Sequence, residues 1–409
     1  MSSGTSRRNV VVTGMGVVCP LGDRPDTVFE AMCQGRTAFG SPTVFDAAAL
    51  PGHVSAEIPE FAPEKYVRAG NIRPLDRTVR LALVGVELAL ADAGWTLEAR
   101  KASLVGLVVG TMFCSVRTIG EFDRRGLQAG PAYVSPMDFS NTVLNAAAGQ
   151  VAIWHHLRGV NSTVAAGAAS GVQAIGYATE LIRTGRADVL VAGGAEELCF
   201  ESSLGFERAG RLAKPGDGRP GVAVPFDARR SGTVMGEGAA FLVLEAEETA
   251  AARGATVLGR IIGCATRFDP EALTGGPHAG TALARAIETA LRDGNIDTVG
   301  GVSSSASGSR VLDAREAAAI EKTVGTNVPV TAIKSMTGEA LGASGALQAI
   351  VALSALRAGR LPGIAGLASM DPAIHVDAAP EARPLRAPNA LVTALTPEGN
   401  CAALVFATN

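Results

Sequence analysis

Aromatic residues are scarce in this chain: phenylalanine, tryptophan and tyrosine together make up 4% of 409 residues. A protein that stacks bases or sugar rings needs aromatic platforms, and this composition offers few. Charge is also sparse, at 18%, and a net charge of -3 leaves no basic stripe of the kind a nucleic-acid binder carries. Histidine occurs five times, at His53, His155, His156, His278 and His375. His155 and His156 are adjacent, so they point in different directions and cannot form the i, i+4 pair that holds a metal on a helix. Surface or packing roles suit each histidine better. There is no H-E-x-x-H, no G-x-S-x-G and no P-loop, so no metal and no cofactor is expected. The six cysteines (Cys19, Cys33, Cys114, Cys199, Cys264, Cys401) include no C-x-x-C pair. They read as buried, reduced thiols of a cytoplasmic protein rather than a disulfide frame or zinc site. No run reaches membrane-spanning length without a charge or repeated glycine. Arg7 and Arg8 precede Val10–Val12 in the charge order of a signal peptide, but Thr13, Gly14 and Gly16 interrupt the run. A first strand closed by a glycine turn is the expectation there.

What is plentiful is small and apolar. Hydrophobic residues reach 47% and glycine contributes 49 positions, enough for a large core packed at close backbone distances. The length suggests about two or three domain-sized cores. Short β-branched runs alternate with helix-like stretches, the pattern of layered α/β architecture. Strands are expected at Val10–Val12, Leu104–Val109, Val189–Ala192, Phe241–Leu244, Val257–Ile262, Val328–Ile333 and Ala402–Phe406. Helices are expected at Thr27–Gln34, Val79–Ala93, Gly171–Arg183, Gly280–Leu291 and Gly345–Leu356. The charged, alanine-rich stretch Glu245–Gly254 divides the chain into halves at 1–250 and 251–409. An internal echo supports a duplication. Ser170-Gly171 opens a helix with Gln173-Ala174-Ile175 that ends in Arg183-Thr184-Gly185-Arg186. Ser344-Gly345 opens another, with Gln348-Ala349-Ile350, ending in Arg357-Ala358-Gly359-Arg360.

Thr13-Gly14-Met15-Gly16 could open a dinucleotide loop, but Cys19 stands where the third glycine of G-x-G-x-x-G belongs, which favours a simple tight turn. More informative is the stretch from Asn161 to Gly171, where a strand passes through small residues directly into a long helix. A side chain there sits at a helix N-terminus, where the dipole favours a thiolate or another anion. It is a position for a nucleophile, and its occupant is Ala168.

Several segments in order resemble the β-ketoacyl synthases of the thiolase-like fold. They are Val11 to Gly16 with Leu21-Gly22, Ala147 to Gln150, Ala187 to Glu196, Pro225-Phe226-Asp227, Val234 to Ala239 and Lys334 to Gly338. The resemblance spans about residues 8–406 and implies duplicated α/β halves in an α-β-α-β-α arrangement. It also implies that the nucleophilic cysteine of the family falls at Ala168, and its two histidines at Ser305 and Glu339. The gating loop falls at Leu395-Thr396-Pro397-Glu398-Gly399-Asn400, which keeps neither of its phenylalanines. A ketosynthase needs a thiolate to carry the acyl chain and two imidazole donors for the anion formed on decarboxylation. Alanine cannot be acylated, and glutamate sets a negative charge beside that anion. Asp313, Glu316 and Lys334 match polar positions near the site, either as remnants of chemistry or as a buried ion-pair network that is costly to break by halves.

Members with this pattern resemble chain length factors, the non-catalytic β subunits of type II polyketide synthases. The resemblance implies a heterodimer with a catalytic ketosynthase, an acyl carrier protein that delivers the chain, and a tunnel along the interface. Met112, Phe113, Thr118, Ile119 and Phe122 are the candidate tunnel residues, and the strand Asn161–Ala165 would pair with its counterpart across a pseudo-two-fold axis. Aromatic-polyketide members carry glutamine at the position of Ala168, and alanine offers no such amide. The alternative is an enzyme of the same fold, a malonyl decarboxylase or acyl transferase using Lys334, Glu339 or Ser305. A carrier-binding homodimer without activity is a third reading.

Overall fold

A computed structural model describes residues 7–67, 72–216, 221–274 and 280–408; His278 lies outside them. Among the described residues, eleven strands form one sheet: β1 (Val10–Val18), β2 (Val105–Gly110), β3 (Asn161–Val164), β4 (Val189–Glu196), β5 (Gly238–Ala246), β6 (Gly259–Phe268), β7 (Val302–Ser303), β8 (Pro329–Thr331), β9 (Asp377–Ala378), β10 (Asn389–Leu395) and β11 (Asn400–Ala407). Their order is β9-β8-β7-β10-β11-β6-β1-β5-β4-β2-β3. The antiparallel seam between β1 and β6, which pairs Val10 with Ile261, joins the halves. Outward from it, β1-β5-β4-β2-β3 and β6-β11-β10-β7-β8 repeat one scheme of antiparallel pairs followed by parallel ones. The duplication read from two helices is therefore present in the topology.

The helices are α1 (Pro25–Cys33), α2 (Arg77–Asp92), α3 (Val116–Ala129), α4 (Ala146–His155), α5 (Ser170–Arg183), α6 (Phe200–Arg208), α7 (Thr281–Asp293), α8 (Arg310–Val324) and α9 (Ser344–Ala358), with shorter ones between. Strand residues alternate between two cores because successive side chains face opposite ways. Ala240, Leu242 and Leu244 join α5 and α9 in a central core. Ala239, Phe241 and Val243 face α2 and α4 instead. In the second half, Ala402, Leu404 and Phe406 face the central helices, whereas Cys401, Ala403 and Val405 face α7 and α8. Helices, strands, helices, strands and helices thus make five layers. The stretch Leu341–Ala358 is long and apolar enough to cross a membrane, but 89% of it is buried inside this fold. The two central helices start in the same way: Ala166 N donates to Ser170 Oγ at 2.8 Å, and Ala340 N to Ser344 Oγ at 2.9 Å. They also touch there, since a Cβ on Gly171 would lie 2.7 Å from Gly342 O, and one on Gly345 would lie 2.4 Å from Val172 Cγ2.

Some expectations need correction. Gly14 and Gly16 form no turn: β1 runs through them with an irregular register between Val12 and Gly14. Their role is close approach, because a Cβ on Gly16 would stand 2.1 Å from Gly85 O and 2.3 Å from Ala89 N of α2. The strand expected from Leu104 begins one residue later, and Leu104 is 73% exposed. The run Val328–Ile333 is cut to three paired residues because Ile333 already caps the short helix Lys334–Thr337. The strand expected from Val257 starts at Gly259 and extends to Phe268. Cys33 and Cys264 are half-buried rather than buried, and all six thiols are free.

Candidate functional site

Several chain segments meet at one cavity of about 430 Å³, and four of them bring the positions singled out by the sequence. The first is the turn between β3 and α5. Gly167 takes φ +61° there, and a side chain on it would press on Glu398 Oε2 at 3.2 Å. Ala168 follows, half-buried, and lines the cavity. The second segment follows β7 and brings Ser305. The third is the turn after the Lys334–Thr337 helix and brings Lys334 and Glu339. The fourth is the hairpin between β10 and β11, which contributes Leu395, Pro397 and Glu398. Ala168, Ser305, Glu339, Glu316, Lys334 and Met112 all line this cavity.

Several of the polar groups in it are paired with one another. Ser305 Oγ lies 3.0 Å from both oxygens of Glu316, Ser305 N donates to Glu316 Oε1 at 2.8 Å, and Thr393 Oγ1 donates to the same oxygen at 2.6 Å. Leu395 N donates to Ser305 Oγ at 3.0 Å. Burial holds the Glu316 carboxyl above its ordinary range, opposed by these hydrogen bonds and by the nearby Lys334 charge. Lys334 Nζ donates to Glu339 Oε2 at 2.6 Å. The other Glu339 oxygen accepts from Ser344 Oγ at 2.7 Å and Leu341 N at 3.1 Å.

Asp313, Glu316 and Lys334 do not form the single network that the sequence suggested. Lys334 pairs with Glu339. Asp313 lies away from the cavity, fully buried, and accepts from the backbone N–H groups of Phe226, Ser307 and Gly308, with Arg230 Nε at 3.9 Å. Burial pushes its carboxyl up to about 7. Glu316 is instead held by Ser305 and Thr393.

The tunnel candidates also separate. Met112 reaches the cavity; Phe113 packs beside it against Leu198, Phe206 and Leu341. Thr118, Ile119 and Phe122 ride on α3, which has no buried residue. Phe122 is half-buried and packs tilted on Phe139, with ring centroids 6.1 Å apart. Sequence reasoning missed Arg211, Lys214 and Arg310, which add positive groups to the cavity besides Lys334. They come from loops and a helix start with no local spacing to mark them. It also missed the role of Glu196, at the end of β4. Glu196 accepts from Met112 N at 2.6 Å, Phe113 N at 3.0 Å, Thr111 Oγ1 at 3.1 Å and, from the other half, Gly342 N at 3.1 Å. Elsewhere, Glu180, Cys264 and Asp293 come close enough to hold a metal. Arg183 already fills that group, 3.0 Å from Glu180 and 2.8 Å from Asp293, together with Arg7.

The β-ketoacyl synthase N-terminal domain model matches residues 7–250 and the C-terminal domain model matches residues 258–368. The 3-oxoacyl-(acyl-carrier-protein) synthase 2 of Coxiella burnetii is 30% identical over 93% of this chain and 94% of its own length. The Rhizobium meliloti protein of the same name is 33% identical over 83% and 84%. Among solved structures, the ishigamide ketosynthase/chain length factor superposes with a TM-score of 0.90 at 29% identity, covering 98% of this chain and all of that one. A β-ketoacyl synthase from Burkholderia phymatum gives 0.91 at 31%, with the same coverage. With its duplicated five-layer fold and these matches, the chain belongs to the β-ketoacyl synthase family of acyltransferases.

Proposed function

We propose that this chain is a non-catalytic chain length factor that acts in the cytoplasm, paired with an active ketosynthase, and shapes the tunnel for a polyketide chain delivered by an acyl carrier protein. One observation carries this reading. Among the described residues, the cavity that gathers Ala168, Ser305 and Glu339 is lined by neither cysteine nor histidine, so these positions offer no thiolate to acylate and no imidazole to assist the decarboxylative step. Likeness to the ishigamide ketosynthase/chain length factor supports the same reading. A partner is supported by the outermost strand β3, which ends the sheet beside Ala168. It is also supported by exposed Tyr133, Met137, Phe139 and Ile153, since bare sheet edges and large exposed apolar side chains mark association surfaces. An obligate interface of this kind buries more than roughly 2,000 Å².

The test is reconstitution with the catalytic ketosynthase. At least one of Phe113→Ala and Phe122→Ala is expected to lengthen the product while the complex assembles as before. A residue that only fills the core would instead cost about 3–5 kcal/mol and disturb folding. Normal assembly with unchanged product length in both variants refutes the tunnel role. The second reading, an acyl transferase or decarboxylase, is favoured by one contact: Ser305 Oγ lies within 3.0 Å of the raised Glu316 carboxyl, which could take its proton. A stoichiometric acyl adduct on Ser305, seen by mass spectrometry of the isolated chain, would select that reading instead.

A further inference from the structure

We propose that the Glu339 side chain occupies, from within the chain, a receptor for a small carboxylate. Its two oxygens meet three converging donors: Lys334 Nζ at 2.6 Å, Ser344 Oγ at 2.7 Å and Leu341 N at 3.1 Å. An ammonium, a hydroxyl and a backbone amide around one carboxylate are what a built carboxylate site provides. Here the ligand is covalently part of the protein. The side chains of Lys334 and Glu339 are 3% and 7% exposed, yet both line the cavity that Ala168 faces.

The receptor is held independently of its occupant. Lys334 begins a short helix, and Ser344 begins α9, in the central core. Glu339 itself is pinned through its backbone, its N–H donating to Val234 O at 2.7 Å and its carbonyl accepting from Gly236 N at 3.0 Å, so the carboxylate cannot leave with a moving loop. Among the described residues, Glu339 is the ion-pair partner of Lys334. The Glu316 carboxyl feels the Lys334 charge but is held by Ser305 and Thr393, and a buried ammonium without a paired carboxylate is costly. Removing the Glu339 carboxylate therefore leaves a charged, preformed vacancy that a free carboxylate can enter. This inference rests on the non-catalytic reading and deepens it. The chain's own carboxylate fills this position, so a carboxylate-bearing acyl group is shut out of it by volume, separately from the missing thiol.

The experiment uses the full chain with Glu339→Ala, sodium acetate as the probe and sodium chloride as the ionic control. The variant is expected to melt below the wild type, and millimolar acetate to raise its Tm saturably, recovering most of the loss. The wild type and the double variant Lys334→Met/Glu339→Ala should show no such acetate response. If Glu339→Ala is recovered unfolded, refolding in acetate against refolding in chloride is the same test. Folded protein that depends on both acetate and Lys334 supports the receptor. An equal response to chloride, an equal response of the double variant, or no response overturns it. The readout is ligand binding by the isolated chain, whereas the chain length proposal is read from products of the reconstituted complex, so either can fail without the other.

Discussion

Glu196 tests whether burial or hydrogen bonding governs the carboxylate that ties the two halves together. Its side chain is buried, and among the described residues no lysine or arginine pairs with it. Four donors reach it, from Thr111, Met112, Phe113 and Gly342. Burial wins nevertheless, pushing the carboxyl from an ordinary 4.5 up to about 7 against the pull of those donors. The folded state then holds the proton more tightly than the unfolded state, so this group's contribution to stability is full below about pH 4.5 and is lost as pH rises through about 7. At about 1.4 kcal/mol per pH unit, the loss comes to about 3 kcal/mol. Glu196→Gln keeps the shape and cannot titrate. Its amide nitrogen cannot accept from the two donors on one side, a cost that does not vary with pH. The test is therefore the slope: relative to the wild type, the variant should gain about 3 kcal/mol between about pH 4.5 and about pH 8. Urea unfolding of both proteins across that range measures the difference, with stability extrapolated linearly to water. Asp313, which is also pushed to about 7, titrates in both proteins and cancels. A difference that stays flat with pH, or that turns against glutamine at alkaline pH, would mean that the four donors stabilise the anion and that the desolvation argument is wrong.

Ala168→Cys should yield a thiol that iodoacetamide alkylates but no ketosynthase, with condensation at least about a hundredfold below that of an enzyme that keeps its anion-stabilising donors. Robust product from acyl and malonyl carrier thioesters would show that the catalytic positions lie elsewhere. Gly16→Ala should cost about 3 kcal/mol, the upper range for overpacking, because the new Cβ meets backbone atoms of α2 at 2.1 and 2.3 Å rather than a yielding side chain. An unchanged urea midpoint would contradict that packing argument.

The sequence carried the fold wherever a local pattern was strong. The apolar strands and the five long helices expected from it appear within a few residues, and the Ser170 and Ser344 echo corresponds to a true topological repeat. Short strands such as Val302–Ser303 and the alanine-rich helix Arg310–Val324 gave no such pattern, since their stability comes from neighbours rather than from their own composition. Gly14 and Gly16 misled because glycine marks a turn and a close helix contact equally well. At the site, the motif alignment brought Ala168, Ser305 and Glu339 to one cavity. It could not say that Lys334 would pair with Glu339 rather than Glu316, because side-chain pairing is decided by distances in the folded chain. Arg211, Lys214 and Glu196 were invisible as site residues for the same reason.

The contact between the two central helices has a consequence for how such a scaffold can change. Gly171 and Gly345 lie at matching places in the two halves, each with backbone of the other half within 3 Å of where its side chain would begin. Enlarging either residue pushes on the other half at the point where its own helix starts, so the two copies cannot diverge independently there. That mutual restraint makes no reference to a thiol or an imidazole. A duplicated fold can therefore lose its chemistry residue by residue at the cavity while the junction behind it is held to its original shape, still able to meet a partner built on the same plan.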